Sequence, residues 1–225
     1  MELLFIRHGQ PAWVVDGVAQ PDAPLTDVGH RQADLAARRL ARDTRRFSEI
    51  IVSPAVRSQQ TAAPIADALG LTPVTIDDIV EIGVPDWTGQ PAAVVDNVFA
   101  TAQHRSIDEW WDGLPGGESF RDFHNRIVGA FRRILADRGT EPAGDQLWHN
   151  DGGDRRIVIV AHGGTNAVAL AFLLGLDPTP WEWERFVLYH ASFARLRAIS
   201  MAGEHVWSLR TFNDREHLEE NLRTR

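Results

Sequence analysis

The sequence predicts a single α/β domain spanning residues 1–225: a three-layer sandwich with a mostly parallel sheet and helices on both faces. Two observations point there. Short apolar runs at Glu2–Ile6, Glu49–Val52 and Ile157–Ala161 alternate with longer stretches of helical spacing, the order that a parallel sheet covered on two sides requires. A chain of 225 residues also suits one such domain, with a core large enough to need no crosslinks.

The elements follow in order. Glu2–Ile6 reads as a buried strand that runs into a turn at Arg7-His8-Gly9. Residues 26–42, rich in Ala, Leu and Arg, read as a helix with Thr26 as its N-cap. Glu49–Val52 is a strand closed by Ser53-Pro54, and the helix after it should reach Leu69, with Gly70 ending it. Ser119 opens another helix, on which Phe120, Phe123, Ile127, Phe131 and Ile134 share one face. Ser119 and Asp122 have the spacing of a capping box. Residues 141–156, polar and turn-rich, read as an exposed loop. Ile157–Ala161 is a fully apolar strand that ends at His162-Gly163-Gly164.

Composition removes whole classes of function. With no cysteine the chain has no disulfide, no thiolate metal site and no cysteine nucleophile, which suits a reducing, cytoplasmic setting. The apolar run at the start is too short for a signal peptide or a membrane span. A net charge of −8 opposes binding to nucleic acid or to an anionic membrane. It leaves a small anion open, because screening lets a local cluster of cations govern one pocket. The nine histidines make no H-x-H or H-x-x-x-H pair, so neither a metal nor a cofactor is expected.

Two strand runs end in a histidine followed by glycine, and in α/β sheets ligands bind beyond the carboxyl ends of the strands. His8 and His162 are therefore offered to the same end of the sheet. An imidazole beside a guanidinium, as in Arg7-His8, is kept from protonating, and a neutral imidazole is what a nucleophile must be. Arg57 reads either as an ordinary exposed first-turn residue or as a guanidinium turned back over the strand end to grip phosphate oxygens. His162 reads either as a satisfied core histidine or, protonated, as a further cationic donor to an oxyanion. The amides after it open a helix, a ready anion site.

The chain resembles the histidine phosphatase superfamily, which includes the cofactor-dependent phosphoglycerate mutases. The resemblance rests on IRHGQ at the start, APLTDVGHRQA at 23–33, SPAVRSQQTA at 53–62 and EIGVPDWTG at 81–89. It continues through PGGESFRDFHNRI at 115–127, IVIVAHGG at 157–164 and WSLRTFNDREHL near the end. It implies that His8 takes the phosphoryl group, and that Arg7, Arg57, His162 and the Gly163 amide form the phosphate clamp. It also implies that Glu81 is the proton donor, although composition alone leaves Asp77, Asp78 and Asp86 beside it. The implied activity is metal-independent hydrolysis of small phosphate monoesters, with a homodimer left open. The alternatives are a phosphoglycerate mutase-type phosphotransferase and a non-catalytic binding member of the same fold.

Three positions depart from the family's pattern. Val14 stands where Asn is common, with Gln20 a candidate replacement for the lost contact. Pro85 stands for glycine, and Thr88 for a second Glu. Residues 90–115 fall where the family builds a lid. Their apolar side chains, Val94, Val95, Val98, Phe99, Trp110 and Trp111, read either as core or as the wall of a site for an apolar or aromatic leaving group.

Overall fold

The computed structural model describes residues 1–225. In chain order the strands are β1 (Glu2–Arg7), β2 (Val14–Val15), β3 (Val18–Ala19), β4 (Glu49–Val52), β5 (Pro73–Thr75), β6 (Thr140–Gly144), β7 (Leu147–Asn150), β8 (Arg156–Ala161), β9 (Phe193–Met201) and β10 (Glu204–Asp214). The helices are α1 (Asp27–Ala41), α2 (Val56–Leu69), α3 (Ala92–Ala102), α4 (Ile107–Trp111), α5 (Phe120–Ala136), α6 (Gly163–Leu173) and α7 (Glu182–Arg185). Eight strands form one sheet in the order β5-β4-β8-β1-β9-β10-β7-β6, and β2 and β3 pair separately. The pairings β5-β4, β4-β8 and β8-β1 are parallel, and the four from β1 to β6 are antiparallel. Only β9 and β7 thus run against the other strands, so the sheet is mixed and mostly parallel.

Alternation along the strands makes the three layers. Leu4, Ile6, Ile50, Val52, Val158 and Val160 face α1 and α2, packing on Ala36, Leu40, Ala62 and Ile65. Leu3, Phe5, Ile51, Ile157 and Ile159 face the other way, against Phe123, Ile127 and Phe131 of α5 and Val168 of α6. Strands buried on both faces read as unbroken apolar runs, which is how they appear in the sequence.

Local signals set the helix ends. The Thr26 side chain accepts from Gly29 N–H at 3.0 Å, and Gly70 closes α2 with φ 65°. Ser119 caps α5 by accepting from Asp122 N–H at 3.0 Å, but the pair is not a capping box. The Asp122 carboxylate accepts from the Ser119 hydroxyl at 2.7 Å rather than from the Ser119 backbone N–H. A true box stands at Ser106 and Glu109, opening α4.

Residues 141–156, expected as an exposed loop, instead hold most of the β6–β7 hairpin. Asp145 and Gln146 turn it with φ 48° and 62°, and Trp148 is buried against Phe172 and Trp207. No helix of the chain is long and apolar enough to cross a membrane.

Candidate active site

Register explains why residues far apart in sequence meet. In the parallel ladder Arg7 lies opposite Ala161 and Val52 opposite Val160, so His8, His162 and Ser53 leave three adjacent strands at one edge. The His8 and His162 rings are 5.2 Å apart, edge to face. Gly9 makes the turn between them and α1 possible. A Cβ there would stand 2.6 Å from Gly29 O, so the His8 loop rests on backbone.

His8 is buried and its tautomer is fixed. Nδ1 lies 2.8 Å from Gly9 O, which can only accept, so Nδ1 carries the hydrogen. The lone pair on Nε2 accepts from Arg57 Nε at 3.2 Å. Burial, then His162, Arg7 and Arg57, hold the His8 pKa well below the ordinary histidine range. Arg57 is itself buried, not the exposed first-turn residue that its sequence position permits. Its guanidinium lies 4.5 Å from the centre of the Trp13 ring and 3.5 Å from Asp22 Oδ1. Arg7 donates to Leu188 O at 2.7 Å, and its buried Nε has no partner. Burial lowers the Arg7 pKa to about 10, against the opposing charge of Glu81. Gly163 is the first residue of α6, so its amide has no acceptor within the helix.

His162 differs from the protonated donor considered from sequence. It is fully buried, and burial with Arg57 and Arg7 nearby holds its pKa well below the ordinary range, so the free site contains it neutral. Its Nε2 pairs with Ser53 Oγ at 2.6 Å, and its Nδ1 is buried without a partner.

Glu81 separates from its acidic neighbours. Its carboxylate accepts from Gly164 N–H at 2.9 Å, Thr165 N–H at 3.2 Å and Ile82 N–H at 3.1 Å, which seats it on the first turn of α6 beside His162. Asp78 instead pairs with Arg133 at 2.5 Å, and Asp86 accepts from Thr88 N–H in an exposed turn. Gln20 makes no side-chain hydrogen bond, and Val14 is exposed on the β2–β3 hairpin.

Sequence reading missed four contributors. Ser53 orients His162. The buried His190 ring lies 5.7 Å from that of His8, its Nδ1 2.9 Å from Thr224 Oγ1, and nothing in its sequence context marks it. Arg126 on α5 donates to Asp78 O at 2.8 Å, Val80 O at 3.0 Å and Glu81 O at 3.4 Å. Glu118 pairs with Arg126 at 2.7 Å and accepts from Gly83 N–H at 3.0 Å. Both lie in the PGGESFRDFHNRI stretch, whose acid and base eight residues apart were the available signal.

A buried neutral histidine ringed by two guanidiniums, a second histidine and a helix start is an arrangement able to hold a phosphoryl group. The sequence profile of the histidine phosphatase superfamily (branch 1) matches residues 3–215. A glucosyl-3-phosphoglycerate phosphatase from Mycolicibacterium vanbaalenii is 32% identical over 182 residues, 80% of this chain and 76% of that protein. The "probable phosphoglycerate mutase GpmB" of Yersinia enterocolitica is 31% identical over 79% of this chain and 77% of its own. The structure of a mycobacterial glucosyl-3-phosphoglycerate phosphatase in complex with inorganic phosphate superposes with a TM-score of 0.70 at 27% identity, covering 97% of this chain and 99% of that one. The chain belongs to the histidine phosphatase superfamily and is an enzyme of its phosphatase kind.

Proposed function

We propose that the protein hydrolyses phosphate monoesters through a phosphohistidine on His8. The state of His8 carries this reading: neutral, with its hydrogen held on Nδ1 by Gly9 O and its Nε2 lone pair facing Arg57. In the first step Nε2 attacks phosphorus, the P–O ester bond breaks, and Glu81 gives its proton to the departing alkoxide. In the second, the Glu81 carboxylate takes a proton from water as the water oxygen attacks phosphorus and the P–N bond breaks. The products are the alcohol and inorganic phosphate, and Glu81 is protonated again. Two displacements replace one difficult one.

Arg7, Arg57 and the Gly163 amide face the equatorial oxygens, the task that metals perform in other phosphoryl-transfer sites, so the reaction needs no metal. Burial first, then Arg57 and Arg7, keep His162 neutral in the free site; a bound phosphate dianion beside the ring opposes both by pairing with its charged form, and His162 then takes up its cationic role. The absence of cysteine and the net charge of −8 support a cytoplasmic enzyme of small phosphorylated molecules, acting on neither nucleic acid nor membrane.

The test is direct. His8→Ala should lower turnover of an aryl phosphate by on the order of a thousandfold or more with the fold intact. Wild-type enzyme stopped with alkali during turnover of a labelled ester should carry a base-stable, acid-labile label on His8. Label on a serine or an aspartate instead refutes the mechanism.

A further inference from the structure

Three buried side-chain nitrogens around the nucleophile have no hydrogen-bond partner: Arg7 Nε, His162 Nδ1 and His190 Nε2. All three residues are close to His8. Arg7 precedes it and bears on its charge state, and the His162 and His190 rings lie 5.2 Å and 5.7 Å from the His8 ring. Buried polar groups are almost always paired, and an orphan loses the free energy of a hydrogen bond. Three such nitrogens in one place suit a single ligand rich in acceptor oxygens, which a phosphoryl group is. Arg7 and His162 belong to the proposed clamp, and His190 is the member without a part in the two displacements.

The fold holds His190 against the nucleophile from two sides. On one, residues 188–191 wrap the end of β1. Arg7 donates to Leu188 O at 2.7 Å, and Ala191 N–H, at a residue with φ 54°, lies 3.0 Å from Arg7 O and 3.2 Å from His8 O. On the other, residues 222–224 close on the histidine. His190 N–H donates to Thr224 O at 3.1 Å, and Nδ1 lies 2.9 Å from Thr224 Oγ1. His190 is 4% exposed.

The hydrogens can be followed through this contact. Gln32 is fully buried, and its Oε1 accepts from Gln10 N–H at 2.7 Å, which fixes the orientation of its amide. Its Nε2 then donates to Leu222 O at 2.6 Å and to Thr224 Oγ1 at 2.9 Å. The Thr224 hydroxyl thus receives one hydrogen and gives its own to His190 Nδ1. The ring hydrogen of His190 is left on Nε2, the nitrogen without a partner. Burial and the nearby Arg7 lower the His190 pKa to about 3, so this donor is neutral in the free enzyme. A neutral donor meets an oxyanion without adding a further positive charge beside an imidazole that must stay unprotonated.

We propose that His190 is a further catalytic residue: its Nε2–H donates to an oxygen of the phosphoryl group bound beside His8, and Thr224, backed by Gln32, sets the tautomer that makes it a donor. The phosphohistidine reading supplies the position of that group, and the segment 222–224 becomes part of the phosphate site through one ring.

The test uses the full chain, isotopically labelled on its histidine ring nitrogens, and proton–nitrogen NMR with vanadate as the probe. Signals lost in His190→Gln assign the ring. In the free wild type His190 Nε2 should be the nitrogen that carries hydrogen, and saturating vanadate should shift that nitrogen and its proton. The amide nitrogen of His190→Gln reaches the Nε2 position and should keep vanadate affinity within a few-fold. His190→Asn, which reaches only the Nδ1 position, and Thr224→Val should each weaken it roughly 10- to 100-fold, the worth of a hydrogen bond to a charged group. Thr224→Ser should restore it. A bare Nε2 in the free enzyme, or His190 signals unmoved at saturating vanadate, overturns the proposal. So does the reverse order of the variants, with Asn tight and Gln weak, because the ring then serves only to hold Thr224. The wild-type spectra decide the matter even where a variant fails to fold. If His190 Nε2 shifts with vanadate while His8 never takes label from an ester, the donor stands and the phosphohistidine reading fails.

Discussion

The nucleophilic role proposed for His8 depends on where it sits. In water an imidazole is partly protonated near pH 6.5 and cannot attack phosphorus in that form. Here burial and the neighbouring His162, Arg7 and Arg57 keep it neutral, and Gly9 O directs the free lone pair away from the backbone. Arg7-His8 and His162 were legible in the sequence because each ends an apolar strand run. Ser53 and His190 were not, since a serine before proline and a histidine in a loop have many ordinary roles. Glu81 was legible only through resemblance, because composition could not rank it above Asp77, Asp78 or Asp86. The structure separates Glu81 from Asp78 and Asp86 by contact, and kinetics can check the role proposed for it. General acid catalysis is worth about 10²–10⁴-fold, and most when the leaving alkoxide is poor. Glu81→Gln should therefore slow an alkyl phosphate far more than a nitrophenyl phosphate. Asp78→Asn should leave the ratio of the two rates unchanged, since Asp78 is bound to Arg133 at the surface. Equal slowing of both esters in Glu81→Gln would show that the proton donor lies elsewhere.

At the scale of elements, the loop that bears Glu81 is held from α5. Three carbonyls of residues 78–81 accept from Arg126, and Glu118 ties Gly83 to the same guanidinium. If Glu81 is the proton donor proposed, Arg126 is a positioning residue that acts through it. Arg126→Met should reproduce the leaving-group-selective loss of Glu81→Gln at about a tenth of its size or more, and Arg126→Lys should recover part of it. A loss of stability with the ratio of alkyl to aryl rates intact would make the contact structural only. The helices of this layer were readable because caps and spacing are local signals. The β6–β7 hairpin was not. Its turn holds both central residues, Asp145 and Gln146, at positive φ with no glycine at either, Gly144 lying one position before them, and its burial comes from Trp207 and Phe172 far along the chain.

The whole molecule separates stability from chemistry along the strands. At the end of β1 remote from His8, roughly 20 Å away at strand rise, Glu2 is buried among Arg156 at 2.8 Å, Arg195 at 3.0 Å and Arg45 at 3.4 Å. Removing one partner leaves buried charge unpaired, so Glu2→Ala should cost about 3–5 kcal/mol. Denaturant titration reads that loss, and kcat/KM should stay at the wild-type value under folding conditions. Acid acts through other groups. Burial lowers the pKa of His190 to about 3 and of His217 to about 4. Between those values and about 6.5 the unfolded chain binds protons that the folded one refuses, so stability falls as pH falls through that window. By pH 4 the two should remove on the order of 5 kcal/mol. Melting temperature against pH should show the slope, and His190→Asn with His217→Gln should reduce it but not abolish it, since His8 and His162 are also held neutral by burial.

What the sequence determined by itself was what neighbours in the chain determine: apolar strand runs, helix caps and spacing, the layer order that follows from them, and two histidines at one sheet end. What only the tertiary structure decided depends on groups brought together across the chain. Parallel register sets Ser53 against His162, the 76–89 loop seats the Glu81 carboxylate on the first turn of α6, and the β2–β3 hairpin closes on the start of α3. Side-chain charge state belongs with the second group, because burial and the nearest guanidinium, both long-range facts, decide whether an imidazole carries its second proton.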